Sequence, residues 1–120
     1  MSIQLQIEEM SGYLAARFIG AGAAEDAWRR FELIAENCKR TKDDKLLIDF
    51  RGLQGDICVV DKFYLGERSR IFASLNLKVA TVAVREHIDP QKFGELVARN
   101  RGVNIRVFTD VQAAEEWLFK

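Results

Sequence analysis

Leu77-Lys78-Val79-Ala80-Thr81-Val82-Ala83-Val84 is the stretch that decides the fold. It is nearly all apolar and rich in β-branched residues, the composition of a central strand covered on both faces. Upstream, Leu46-Leu47-Ile48-Asp49-Phe50 reads as a second buried strand, and about Val59 to Ser74 reads as the helix between them. Downstream, Asp89-Pro90 predicts a helix start, with Asp as N-cap and Pro at the first helical position. Phe93, Leu96 and Val97 form that helix's inner face, and Gly102 closes it. Val103, Ile105 and Val107 then alternate with Asn104 and Arg106 as an edge strand. Thr109-Asp110-Val111-Gln112 has capping-box spacing and opens a last helix, whose Trp117 is expected to anchor in the core.

Toward the amino terminus, Ile3, Leu5 and Ile7 alternate with Gln4, Gln6 and Glu8, and Ser11-Gly12 turns the chain into a second arm from Tyr13 to Ile19. Gly20-Ala21-Gly22 breaks that strand. From Ala24 to Cys38 the apolar positions fall on one stripe at about 100° per residue, which predicts one amphipathic helix. Glu25 and Asp26 in its first turn and Lys39 and Arg40 in its last match the helix dipole, and Leu33 alone projects from the polar side. The order is β-β-α-β-α-β-α-β-α. Strand–helix alternation with right-handed crossovers predicts an α/β fold with a mixed, mostly parallel sheet of about five strands. Residues 1–120 are expected to form a single domain.

Composition narrows the function. With 18 basic and 18 acidic residues the formal charge cancels, so there is no basic field for nucleic acid. No window approaches the roughly 20 apolar residues of a membrane helix, and no signal-type apolar core begins the chain. Cys38 and Cys58 form no CxxC, which suits two reduced thiols and a cytoplasmic setting. One His and two Cys make a metal site or a His-based catalytic apparatus poorly supplied, and no cofactor is implied. Gly20-Ala21-Gly22 lacks the third glycine of a dinucleotide fingerprint, because Glu25 stands there, and reads as a hinge. His87, alone in a polar loop after the central strand, reads as a solvated side chain.

Two regions remain as a candidate ligand or partner surface. Asp49 and Asp56 bracket a glycine-bearing loop with Arg51 between them. They could hold a hard cation, although a structural pairing of Asp49 with a basic neighbour is the simpler reading. The helix after Cys58 breaks periodicity. On a straight helix Leu65 and Phe72 point outward, while Gly66 weakens its middle by about 1 kcal/mol relative to Ala. Either the helix bends near Gly66, or it presents Leu65 and Phe72 to a partner; an apolar ligand cavity would instead lie under Phe63, Tyr64 and Phe72. A stripe through Leu65 and Phe72 predicts a homodimer; a bend would turn Phe72 inward and remove the stripe.

The strand Leu46-Leu47-Ile48-Asp49-Phe50-Arg51-Gly52-Leu53 resembles the SpoIIAA-like group of small bacterial proteins, which belong with the STAS domains. So does the ending Arg106-Val107-Phe108-Thr109-Asp110 with Ala113-Ala114-Glu115-Glu116-Trp117-Leu118. The resemblance implies a non-enzymatic module. In the anti-sigma-factor antagonists of that group a phosphorylatable serine starts the helix after the Asp49-like strand. Here Gly55-Asp56-Ile57-Cys58-Val59-Val60-Asp61 offers no hydroxyl, so that switch is not expected. The first expectation is a protein-interaction or regulatory module, homodimeric, working through Arg51 to Cys58 and the helix that follows. The alternative is a carrier or sensor of a small apolar or lipid-like ligand held between that helix and the sheet. The sparse supply of His, Cys and Ser argues against an enzyme.

Overall fold

The computed structural model describes residues 3–120. Its strands are β1 (Gln4–Glu9), β2 (Leu14–Ala21), β3 (Lys45–Gln54), β4 (Lys78–Val82) and β5 (Asn104–Phe108). Its helices are α1 (Ala24–Trp28), α2 (Phe31–Thr41), α3 (Val59–Arg68), α4 (Phe93–Asn100) and α5 (Val111–Leu118). Short 3-10 helices span Ser69–Leu75 and Arg85–His87. The strands lie in the order β1-β2-β3-β4-β5, with β1 antiparallel to β2 and every other neighbour parallel. The expected α/β class and mixed, mostly parallel five-stranded sheet are therefore observed.

Strand alternation divides the core between two faces. Phe18, Leu46, Ile48, Val79 and Ile105 enter the larger cluster with residues of α1, α2, α4 and Phe72. Leu47, Ala80 and Val82 point the other way, where Ala114 and Leu118 of α5 cover them. Tyr13 pins α5 by donating its hydroxyl to Glu115 at 2.6 Å. Among the described residues only this one helix serves the second face, and it lies against β3, β4 and β5.

Four local expectations are corrected. The stripe from Ala24 to Cys38 is two helices, broken at Arg29 and Arg30, with both pieces keeping the same apolar side. Asp89-Pro90 forms a turn in which Asp89 accepts from the Gln91 and Lys92 amides, and α4 starts only at Phe93. The last helix is capped by Asp110, which accepts from the Ala113 amide at 3.0 Å, and not by Thr109. Trp117 is half-buried beside Phe108 with Lys78 Nζ 4.6 Å above its ring, so Ala114 and Leu118 are the anchors of α5.

The irregular segment is resolved by a change of winding. After Arg68 the chain tightens from 3.6 to about 3 residues per turn. Ser69, itself buried, donates its hydroxyl to the Gly66 carbonyl at 2.6 Å at this junction. The tighter winding carries Phe72 inward against Phe31, with ring centroids 5.4 Å apart and no exposed surface.

Candidate functional site

In parallel β-sheets ligands and partners gather at the carboxyl ends of the strands. Here β3 ends at Gln54 and the chain reaches α3 through Gly55–Cys58, beside the loop that leaves β4. The candidate residues do not converge there. Asp49 is 4% exposed and lies on the α5 side of the sheet, one residue out of phase with Ile48. Arg51, two residues on and therefore on the same side, donates from Nε to Oδ1 at 3.0 Å and from Nη2 to Oδ2 at 2.8 Å. The Arg51 amide also reaches Oδ1 at 3.0 Å, and Arg17 Nε stands 3.6 Å from Oδ2. Burial alone would raise the Asp49 pKa; the Arg51 hydrogen bonds and the charges of Arg51 and Arg17 outweigh it and hold the carboxyl below its ordinary range. Asp49 is thus a structural anchor for the end of β3. Asp56 is exposed in the loop, and no cluster of metal-ligating side chains forms among the described residues.

Cys58 is the N-cap of α3 and is exposed. Its amide and its Sγ approach Asp61 Oδ2 at 3.3 and 3.2 Å, a capping box with a thiol in the hydroxyl's place. Next to it Val59 and Val60 are 63% and 61% exposed, two adjacent apolar side chains facing solvent. Further along α3 the side chains diverge. Tyr64 packs on Trp28 of α1 at 5.2 Å, and Phe63 lies under the Arg101 guanidinium at 5.5 Å. Leu65 packs inward. With Phe72 fully buried, the outward stripe through Leu65 and Phe72 does not exist, and a dimer built on it is withdrawn. Leu33 on α2 is exposed, as expected.

The loop is tied from a direction the sequence did not announce. His87 Nε2 lies 2.6 Å from the Gly55 carbonyl oxygen; a carbonyl only accepts, so that nitrogen donates. The Nδ1 atom is buried without a hydrogen-bond partner among the described residues. The histidine expected in solvent is a half-buried clasp between the loops after β3 and β4. Beneath α3 and α4 lies an apolar cavity of about 110 Å³, lined on different sides by Phe31, Ile48, Leu65, Phe93 and Ile105, with His87 at its border. The two helices above it cross at Gly66, where a Cβ would stand 2.9 Å from Val97 Cβ and against the Gly94 carbonyl oxygen.

The sequence matches no family model and no curated protein. Solved structures do match. An anti-sigma factor antagonist from Mycobacterium paratuberculosis superposes with a TM-score of 0.68 at 12% identity, over 99% of this chain and 96% of that one. A serine-to-glutamate variant of RsbS from Moorella thermoacetica gives 0.63 at 18% identity, covering 97% and 95%. A protein of the DUF3478 family from Shewanella loihica PV-4, described as having a SpoIIAA-like fold, gives 0.55 at 23%, covering 98% and 94%. This chain has the SpoIIAA-like fold.

Within the SpoIIAA-like fold the contacts that sequence reasoning missed are those between distant segments. The pairing of Asp49 with a basic neighbour, the simpler reading of the sequence, is observed with Arg51, two residues away on the same strand face. Gly55 and His87 are 32 residues apart, and nothing local to either predicts their meeting. No helix among the described residues is long and apolar enough to cross a membrane.

Proposed function

We propose that this chain is a non-enzymatic, regulatory protein-interaction module that works through the Arg51–Cys58 loop and the first turn of α3. The observation that carries this reading is the adjacent exposure of Val59 and Val60 beside the exposed Cys58. Two apolar side chains at the rim of a loop, with polar Asp56 and Asp61 near them, make a small surface whose burial a partner would reward. The loop is held at its start by Arg51 on Asp49 and in its middle by His87 on Gly55, so little ordering is needed on binding. The same ties commit the chain's lone histidine and its buried aspartate to structural partners, which favours binding over catalysis. Anti-sigma factor antagonists among the structural neighbours add weight to a protein partner.

A photoreactive residue placed at position 60 tests this directly. A specific covalent adduct is expected from position 60 and none from position 33, on the exposed face of α2. Val59→Asp should abolish the adduct without altering the circular dichroism. Equal labelling from both positions, or none from position 60, refutes the surface.

The cavity favours a second reading, binding of a small apolar molecule. Its volume of about 110 Å³ compares with an engineered cavity of about 150 Å³ that takes benzene. It suits a single ring far better than an acyl chain, so the lipid-like version would require α3 and α4 to part. Benzene titration followed by the methyl resonances of Leu65 and Ile105 should show saturable shifts; unshifted resonances refute it.

A further inference from the structure

The sheet has two edges, and the fold treats them differently. On β5 two of the outward backbone groups are taken by α4: the Val107 amide donates to Glu95 Oε1 at 2.9 Å, and Arg99 Nε donates to the Ile105 carbonyl at 3.1 Å. On β1 the Ile3 carbonyl, just before the strand, accepts from Arg30 Nη1 at 2.5 Å. Within Gln4–Glu9 there is no proline and no interruption of the register with β2, and the charges, Glu8 and Glu9, are confined to one end, so proline and bulge do not blunt this edge.

The phase of the hairpin shows which β1 groups face away from β2. The Met10 amide donates to the Tyr13 carbonyl at 2.9 Å, which makes 10 and 13 a hydrogen-bonded pair. Such pairs alternate along an antiparallel ladder, so with the observed register the bonded pairs are 8 with 15, 6 with 17 and 4 with 19. The N–H and C=O groups of Leu5, Ile7 and Glu9 therefore point outward, and no hydrogen bond within the described residues reaches them. Arg30 on the outward carbonyl of Ile3 follows the same phase.

We propose that this edge pairs with β1 of a second copy, antiparallel about a two-fold axis at Gln6, joining two sheets into one. Side-chain complementarity favours a second copy as the occupant. Centred on Gln6, the pairing sets Leu5 opposite Ile7 of the other copy, Gln4 opposite Glu8, and Gln6 opposite itself. Leu5 meets Ile7 on the helix-covered face, Gln4 meets the Glu8 carboxylate on the open face, and Ile3 stands opposite Glu9 where the paired stretch ends. No two like charges stand opposite each other. The Leu5 and Ile7 pairs supply outward N–H and C=O groups to each other, and the partly buried Leu5 and Ile7 side chains gain cover. A two-fold, self-complementary contact closes as a dimer and does not propagate.

Sedimentation equilibrium on the full chain, with variants at exposed positions, tests the pairing. The wild type should self-associate to a dimer. Gln6→Glu faces Arg17 within its own sheet, so the fold is kept, yet it sets two carboxylates opposite each other at the axis. It should weaken association by about fivefold or more. Gln4→Lys should tighten association by pairing with Glu8 of the other copy. In a Cys58→Ser background, Gln6→Cys should form a disulfide-linked dimer on mild oxidation, because a non-hydrogen-bonded pair brings the two Cα atoms to about 4.5 Å. A wild type that stays monomeric at millimolar concentration overturns the proposal. So does a dimer that Gln6→Glu leaves unchanged, since its axis would then lie elsewhere.

Discussion

Replacing Gly66 with alanine should destabilise this protein, against the usual effect of that change in a helix. In an ordinary helical position Gly→Ala gains about 1 kcal/mol. Here a Cβ on Gly66 would lie 2.9 and 3.1 Å from Val97 Cβ and Cγ1, and closer still to the Gly94 carbonyl oxygen. Relaxed contacts between heavy atoms need about 3.5–4.0 Å. The main obstacle is backbone, which has no rotamer to retreat to, so α3 and α4 must move apart by roughly 1 Å. Overpacking of this kind costs about 1–3 kcal/mol, and a rigid obstacle belongs in the upper half of that range. Subtracting the helix gain leaves a net loss of about 1–2 kcal/mol, a fall in Tm of about 4–10 °C for a chain of this size. Gly94→Ala is the control: its nearest contact is the Lys62 carbonyl oxygen at 3.3 Å, which a shift of a few tenths of an ångström relieves. Thermal and urea unfolding followed by circular dichroism would measure both. A Gly66→Ala protein that melts at or above the wild type refutes the close crossing of α3 and α4.

Three further outcomes follow from the same contacts. The Asp49 pKa is lowered on folding from an ordinary 3.8, so its contribution to stability is complete above that value and is lost as pH falls through the folded pKa. Asp49→Asn should cost about 1–2 kcal/mol at neutral pH, and urea unfolding at a series of pH values should show the gap to wild type closing as acid is added. A gap independent of pH would mean that the carboxylate's charge is not what Arg51 and Arg17 recognise. Burial, with a smaller effect of Asp43, pushes the Cys38 thiol up to about 11, and the side chain is 2% exposed. Iodoacetamide should therefore add one label, at Cys58, to the native protein and two after unfolding; two labels on the native protein contradict the placement of α2. Leu118→Ala should cost about 2–4 kcal/mol and more than Trp117→Ala, because Leu118 has no exposed surface while Trp117 lies half open under Lys78. The reverse order in a melting series would return Trp117 to the core.

By itself the sequence determined the element order and the class of sheet, because those follow from periodicity within short windows. The nearly all-apolar run around Val79 needs two covered faces, and the alternation at Leu5 and Ile7 needs one, whatever lies across from them. It also left Leu33 on the open side of its helix, and the glycine after Arg101 takes the positive φ that ends α4. Capping positions slipped by one to three residues, since Thr109 and Asp110, or Asp89 and Lys92, compete for the same start and packing chooses between them. What tertiary structure decided is everything that depends on two segments meeting. Phe72 faces inward because the chain tightens at Ser69 to meet Phe31, and that turned a supposed contact surface into core. His87 reaches Gly55 because parallel pairing sets the ends of β3 and β4 side by side. Gly66 sits mid-helix at a local cost because α4 crosses there, 28 positions further along the chain at Gly94. A local pattern records which side of an element is buried, but the partner that buries it is set only when the sheet has brought distant residues within reach.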